Sequence, residues 1–537
     1  MSTRSPRRGP KRRTPEDRQE DAAFPRLHTT PWPVAILLGV LGGLAMLAAF
    51  PPYDLWFLLP LALGALTVAC LTPRAPGTLA AGTAFGLAFF VPLTQWAGTY
   101  AGIMPWIALG IFEALFITLY AGLIRIVLRR RGLGVGSALG IAAIWAAVET
   151  LRSHAPWGGL PWGASAFALA DSPLLALAPW VGTAGLAVVV GLLGQWLAMG
   201  VLRLLGRRHR GPDLGGVWPV AMVVTALLAC LVVPYPRNPP PPGDSTLLIA
   251  GIQGNMPPID PQSLEMPPEA FGNHLDATDT VLTQLEDRDA SPDLIVWPED
   301  STGWDPRTDE ARGSALTHRA VRADAPILVG TQTLTPDGHR YNMSLRWEPD
   351  GTVSDTYAKR HPVPFGEYIP WRSVFRLATD KVDLVPSDML PGTEPGVTDV
   401  DGHGVGILIC FEIAYETLVH DVVQDGAQVI VVQSNNALFG ESHESIQQLA
   451  EAKVMAVVSG RSVVHVSTVG ESAIFTPDGR TLAFAGHWTQ GAVVADVPLR
   501  TGITPAIAAG IAIPAGICAF AVLVLVSALA RPTRRTR

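Results

Sequence analysis

The feature that most limits what this chain can fold into is a succession of apolar runs, each near the length that crosses a bilayer. A hydrocarbon core of ~30 Å needs about 20 mostly apolar helical residues. Residues 34–50, 55–72, 78–96, 103–127, 133–150, 184–202, 217–233 and 506–530 come close to that requirement. Eight such runs exceed what one water-soluble core can hide, and only 16% of the 537 residues are charged, so a multi-pass α-helical membrane domain is expected. Seven spans would lie within residues 33–233 and the eighth at 506–530.

Loop charge orients these spans, because Lys and Arg concentrate on the cytoplasmic side. Basic residues fall in the tail 1–32, at Arg74, at Arg129 through Arg131, at Arg207, Arg208 and Arg210, and in the tail 531–537. With alternating spans all share one side. Both termini are then cytoplasmic, and residues 234–505 face outward. The first tail is basic and lacks apolar periodicity, which suits disorder and not a cleaved signal. A net charge of -7 without a basic face argues against nucleic acid as a partner.

The loop 152–171 is too apolar for ordinary solvent exposure. It would either lie in the membrane interface, with Trp157 and Trp162 at headgroup level, or fold back on the outer domain. Glu149 and Arg152, close to a span end, read as interfacial charges.

Composition changes after the last of the seven spans. Residues 234–244, PYPRNPPPPGD, form a stiff proline-rich linker, and residues 245–498 alternate strand-like and helix-like runs. This predicts one large α/β domain. Within it Ile446, Leu449, Ala450, Val454 and Val457 share a helix face suited to packing on a sheet.

Three residues at predicted strand ends carry chemistry. In GVGILICFE a buried strand runs into Cys410, the only thiol outside the long apolar runs that hold Cys70, Cys230 and Cys518. A thiol there is either a small buried hydrophobe or a nucleophile assisted by the N–H groups of a following helical turn. VWPED sets Glu299 just past another strand, and YAK sets Lys359 at the end of a third, ahead of a loop containing Glu367. Singly these are ordinary surface charges. Together, at the strand ends of one α/β domain, they sit where ligand sites collect.

The order of Glu in VWPE, Lys in YAK followed by VPFGEY, and Cys in CFE resembles the carbon–nitrogen hydrolase, or nitrilase, superfamily. With the N-terminal spans, IQGN, SNNALFG and a final span, the chain looks like the membrane-embedded branch of that superfamily, the bacterial apolipoprotein N-acyltransferases. The resemblance implies a nitrilase-like αββα sandwich and a catalytic triad of Glu299, Lys359 and Cys410. Glu367, Phe411 and Glu412 would support the triad. It further implies substrate contacts from Asn435, Leu438 and Phe439 and from Trp371 and Phe375, in a loop either dipping into the interface or packed down. Neither metal nor cofactor is implied. The implied reaction moves a fatty acyl chain from a phospholipid, through a cysteine thioester, to the N-terminal amine of diacylglyceryl-modified lipoproteins, at the bacterial cell membrane. The alternative is a membrane-tethered amidase or nitrilase acting on an external substrate. The chain departs from the family pattern at Leu438, where Trp is frequent, and at Met455 and Val458, which stand where the family carries Arg and Glu.

Overall fold

The computed structural model describes residues 30–204, 246–258, 267, 269–377 and 379–530. The expected seventh span at 217–233, the linker 234–244 and nearly all of both basic tails lie outside the described residues.

Among the described residues, six helices of more than ten residues precede the α/β part: α1 (Trp32–Ala48), α2 (Leu58–Ala69), α3 (Ala75–Leu93), α4 (Ile103–Arg131), α5 (Val135–His154) and α6 (Ala178–Leu204). Helices α3 to α6 and the C-terminal helix Ala512–Leu529 are each long and apolar enough to cross a membrane. Helix α2 is not, since its 12 residues rise only ~18 Å. The run 55–72 is shortened because residues 51–57 are taken up by turns at Pro51 and Pro52. The last run is likewise divided, because Gly510 adopts φ +49° between the short helix Pro505–Ala509 and Ala512–Leu529. Small residues bring neighbouring helices together. Gly39 and Gly43 of α1 face the backbone of Ala81 and Phe85 on α3, leaving no room for a Cβ.

Loop 152–171 folds back toward the α/β part, and the charges beside it are not interfacial. Arg152 is 2% exposed and Glu149 8%. Arg152 donates from Nη1 to Glu113 Oε2 at 3.1 Å and to the carbonyls of Leu160 and Trp162 at 2.7 and 2.8 Å. Glu149 accepts from the N–H and Oγ of Ser165, both at 2.8 Å. Burial is tolerated because the loop backbone supplies the partners, and the same bonds pin the loop.

The α/β part is the expected αββα sandwich. Strands β1 (Thr246–Gln253), β2 (Leu294–Val296), β3 (Ile327–Leu334), β4 (Arg340–Trp347) and β5 (Val353–Ala358) build the first sheet with β12 (Gly491–Pro498), in order β12-β1-β2-β3-β4-β5. Strands β6 (Val397–Val400), β7 (His403–Ile409), β8 (Val429–Ser434), β9 (Ser462–Ser467), β10 (Ser472–Phe475) and β11 (Thr481–Ala485) build the second, in order β11-β10-β9-β8-β7-β6. Ile249, Val296 and Leu328 meet Ile407, Val431 and Val464 between the sheets. Helices α7 (Glu269–Glu286) and α8 (Glu310–Ala323) cover the first sheet, and α9 (Glu416–Gln424) and α10 (Glu444–Ser459) cover the second.

Helix α10 differs from the amphipathic expectation. Almost every residue of it is buried, Glu444, Gln447, Gln448 and Glu451 included, while Ile446 is only partly so. Its outer face meets α6 and the turns at Phe167–Leu169 and Pro173–Leu177 where an ordinary sandwich meets water. One apolar cluster therefore runs unbroken from Phe85 and Trp145 through Trp162 to Phe411, Leu418 and Val457.

Candidate active site

Glu299 leaves β2 through Pro298, whose missing N–H ends the sheet pairing. The turn passes so close to Gly330 on β3 that a Cβ there would lie 2.2 Å from the Pro298 carbonyl oxygen. Glu299 is 7% exposed. Its Oε2 accepts from the Asn435 N–H at 2.9 Å. Its Oε1 accepts from Asn342 Nδ2 at 2.6 Å and from Lys359 Nζ at 3.1 Å.

Lys359 follows β5 and is 2% exposed. Its ammonium also donates to Glu367 Oε1 at 2.9 Å, an oxygen that Asn342 Nδ2 reaches at 3.0 Å. Glu367 Oε2 accepts from the Val363 N–H at 2.6 Å. Lys359 and Asn342 thus each bridge the same two carboxylates. Burial alone would favour a neutral amine, but Glu299 and Glu367 outweigh it and raise the Lys359 pKa well above its ordinary value. The cation is permanent.

Cys410 is the first residue of the 3₁₀ turn Cys410–Ala414 that ends β7, with φ +55°. This left-handed conformation is rare for a residue with a Cβ. Burial and the charge of Glu299 push its thiol well above the usual range, while Lys359 and a hydrogen bond from Gln448 pull the other way. Gln448 Nε2 lies 3.5 Å from Sγ. Gln448 is oriented by Asn436 Nδ2 and His465 Nε2, which approach its Oε1 at 3.0 and 3.2 Å. Burial holds the His465 pKa near 4, so the ring is neutral.

Glu412 is buried, with every oxygen used. Oε1 accepts from the N–H groups of Arg360 and His361 at 2.7 and 3.0 Å, and Oε2 from Ile409 N–H and Tyr357 OH, both at 2.8 Å. It joins the Cys410 turn to the loop after Lys359. Phe411 stacks on Trp162.

The other expected residues divide into two groups. Asn435 contributes its backbone to Glu299, and the half-buried Leu438 and Phe439 follow on the same turn. Phe439 meets Trp96 and Tyr100, beside α3 and α4, at ring distances of 5.3 and 5.8 Å. Trp371 and Phe375 belong to a separate aromatic group with Trp157 and Phe365. Their loop is exposed in one part and packed down in another. Trp371, Val374 and Leu377 are 66, 57 and 89% exposed, whereas Val382 and Val385 pack against Ile369.

Met455 and Val458 are fully buried in the cluster shared with the membrane helices. Sequence reasoning missed Asn342, Asn436, Gln448 and His465. Their only signal was a polar side chain within an otherwise apolar strand or helix. Among the described residues no group of three or more His, Cys, Asp or Glu side chains could hold a metal ion. The arrangement, a thiol in the field of a buried carboxylate and a fixed ammonium, is suited to nucleophilic attack on an acyl carbon.

Residues 42–196 match the model of the apolipoprotein N-acyltransferase N-terminal domain, and residues 273–504 match that of carbon-nitrogen hydrolases. The apolipoprotein N-acyltransferase of Mycolicibacterium smegmatis is 34% identical over 493 residues, 88% of this chain and 81% of that protein. That of Pseudomonas syringae pv. tomato is 27% identical over 504 residues, 88% of this chain and 92% of that protein. Among solved structures an amidase from Nesterenkonia sp. aligns with 48% of this chain and 93% of its own, at 20% identity and a TM-score of 0.35. The matches run through the membrane helices and the sandwich alike, and this chain belongs to the apolipoprotein N-acyltransferase family.

Proposed function

We propose that this membrane acyltransferase, which serves lipoprotein N-acylation, takes a fatty acyl chain from a phospholipid onto Cys410 and passes it to the α-amine of a lipoprotein's diacylglyceryl-cysteine. The observation that carries this reading is the meeting of Glu299, Lys359 and Glu367 beside a thiol whose own turn packs on the membrane helices.

In the first half-reaction the Cys410 sulfur attacks the ester carbonyl while Glu299 takes the thiol proton. The raised thiol pKa makes that transfer necessary. Lys359 stabilises the oxyanion, and Glu299 returns the proton to the departing alkoxide of the lysophospholipid. In the second half the acceptor amine attacks the thioester. Its proton reaches the leaving sulfur through Glu299, and the amide is the more stable product. Both substrates keep their chains in the bilayer, so a site seated on the membrane helices meets them by lateral diffusion. The basic residues of the loops and tails support cytoplasmic termini and an outward-facing sandwich.

Incubating the full-length protein in membranes with chain-labelled phospholipid tests this. A hydroxylamine-labile adduct should form, vanish in Cys410→Ala, and be discharged by a diacylglyceryl lipopeptide. Full lipopeptide acylation by Cys410→Ala or Glu299→Gln would sink the triad, and turnover of a soluble amide without any adduct would favour the hydrolase.

A further inference from the structure

A second carboxylate stands on the far side of the turn that holds Glu299. Glu444 opens helix α10 and is 1% exposed. Its Oε2 accepts from Asn436 Nδ2 at 2.7 Å, whereas its Oε1 is buried with no hydrogen-bond partner. Asn436 follows Asn435, whose N–H holds Glu299. Consecutive residues of one turn thus carry the two carboxylates. Asn436 Nδ2 also donates to Gln448 Oε1 at 3.0 Å, and Gln448 donates to the Cys410 sulfur, so two hydrogen-bonded side chains connect Glu444 to the thiol. Asn436 is itself fixed by Ser467 Oγ. The turn is covered by Phe439, Trp96 and Tyr100.

A carboxylate oxygen left unpaired inside a protein is unfavourable unless something arrives to pair with it. Glu444 has no cation bonded to it among the described residues, and the ammonium of Lys359 is engaged by Glu299 and Glu367. Of the two substrates, the acceptor must bring a primary amine to the acyl carbon on Cys410, which two hydrogen-bonded side chains connect to Glu444.

We propose that Glu444 Oε1 seats the amino group of the acceptor by accepting one of its N–H bonds, and so aims the nitrogen at the acyl carbon on Cys410. The inference rests on the acyl-enzyme reading above. When the acceptor arrives as an ammonium and Glu444 is ionised, the proton it must shed before attack passes to Glu444, which releases it to solvent once the amide product has left. The proton lost on forming the amide goes through Glu299 to the departing sulfur, so every proton is placed. Burial, together with the charges of Glu471 and Glu299, already raises the Glu444 pKa to about 8, close to that of an α-amine.

Glu444→Gln tests the seat, because the amide keeps an oxygen for Asn436 and turns a donor toward the incoming amine. Full-length protein in detergent micelles is charged separately with phosphatidylglycerol and with phosphatidylethanolamine, then chased with a diacylglyceryl lipopeptide. The expected result is thioester formation close to wild type from both donors, with transfer to the lipopeptide slowed by about tenfold or more and its KM raised. Hydroxylamine should release the chain equally from both proteins. Unchanged transfer overturns the proposal. So does slowing of both half-reactions in parallel, which would mark a merely structural role, and so does slowing of the phosphatidylethanolamine step alone, which would mark a headgroup site. A second measurement does not depend on that variant: Cys410→Ser protein should bind the lipopeptide more tightly than its des-amino analogue, and equal binding overturns the seat. Failure of wild-type protein to form any thioester would fall on the acyl-enzyme reading itself.

Discussion

The indole of Trp162 lies nearly flat on the ring of Phe411, with centroids 5.0 Å apart and planes 15° from parallel. A loop between two membrane helices thereby touches the residue next to Cys410. Its Nε1 also donates to Gln447 Oε1 at 2.7 Å, one residue before the side chain that reaches the sulfur. Trp162→Ala should lower thermal stability by about 3–5 kcal/mol, as expected for emptying a filled core site, and slow thioester formation. Trp162→Phe keeps the stack and loses one hydrogen bond, a cost of about 1 kcal/mol. Thermal unfolding in detergent combined with the thioester burst separates the two. If Trp162→Ala charged as fast as wild type, the contact would have no part in holding the Cys410 turn.

Gly330 tests how tightly Glu299 is placed. A methyl group there would meet Pro298 O at 2.2 Å, Glu299 Cα at 2.7 Å and Asp300 N at 2.8 Å, all backbone atoms that cannot swing aside. Gly330→Ala should displace the Glu299 turn and reduce thioester formation by about a hundredfold, the scale of a 1 Å misplacement, while the membrane helices stay folded. Acyl transfer at the wild-type rate would show that Glu299 needs no such placement.

The elevated thiol of Cys410 has a pH signature. Below its pKa the thiolate fraction rises about tenfold per pH unit, so alkylation by iodoacetamide should be slow near neutrality and climb throughout the alkaline range. Lys359 lowers that pKa. Its replacement in Lys359→Met should therefore raise the pKa, shift the alkylation profile to higher pH and slow modification at any fixed pH. A profile unmoved by Lys359→Met would mean the ammonium does not act on the sulfur.

How much of this could be read from the chain depended on whether a signal was local. Cys410, Glu299 and Lys359 each end a strand, and strand ends are marked by a change of composition a few residues long. The alternation of strands and helices in one α/β domain was legible for the same reason, whereas the doubly covered sandwich was implied only by the resemblance to the nitrilase superfamily. Arg152 and Glu149 were misjudged because a charge near a span end is inexpensive in isolation, and only the returning backbone of residues 160–165 reveals its partners. Helix α10 packs on the second sheet as its apolar periodicity predicts, but its other face is buried too, and Gln447 and Gln448 reach Trp162 and Cys410, partners distant in sequence. Asn342 donates to Glu299 and Glu367 from two sequence-distant loops, a relation that no local pattern encodes.

Trp371, Val374 and Leu377 are exposed, Trp371 meets Trp157 just past helix α5, and Arg372 ties the loop down through the carbonyls of Val382 and Val385, both at 2.8 Å. Large apolar side chains displayed beside membrane helices, on a loop anchored from behind, suit insertion among lipid headgroups. Val374→Asp with Leu377→Asp should remove that affinity without disturbing Val382 and Val385, which face inward. Acylation from phospholipid in vesicles should fall about tenfold or more, as expected when a membrane contact is lost. Charging of Cys410 by a water-soluble short-chain thioester should remain near wild type, since Glu299, Lys359 and Cys410 are untouched. Equal loss with both donors would mean that the loop shapes the site itself and does not recruit the lipid.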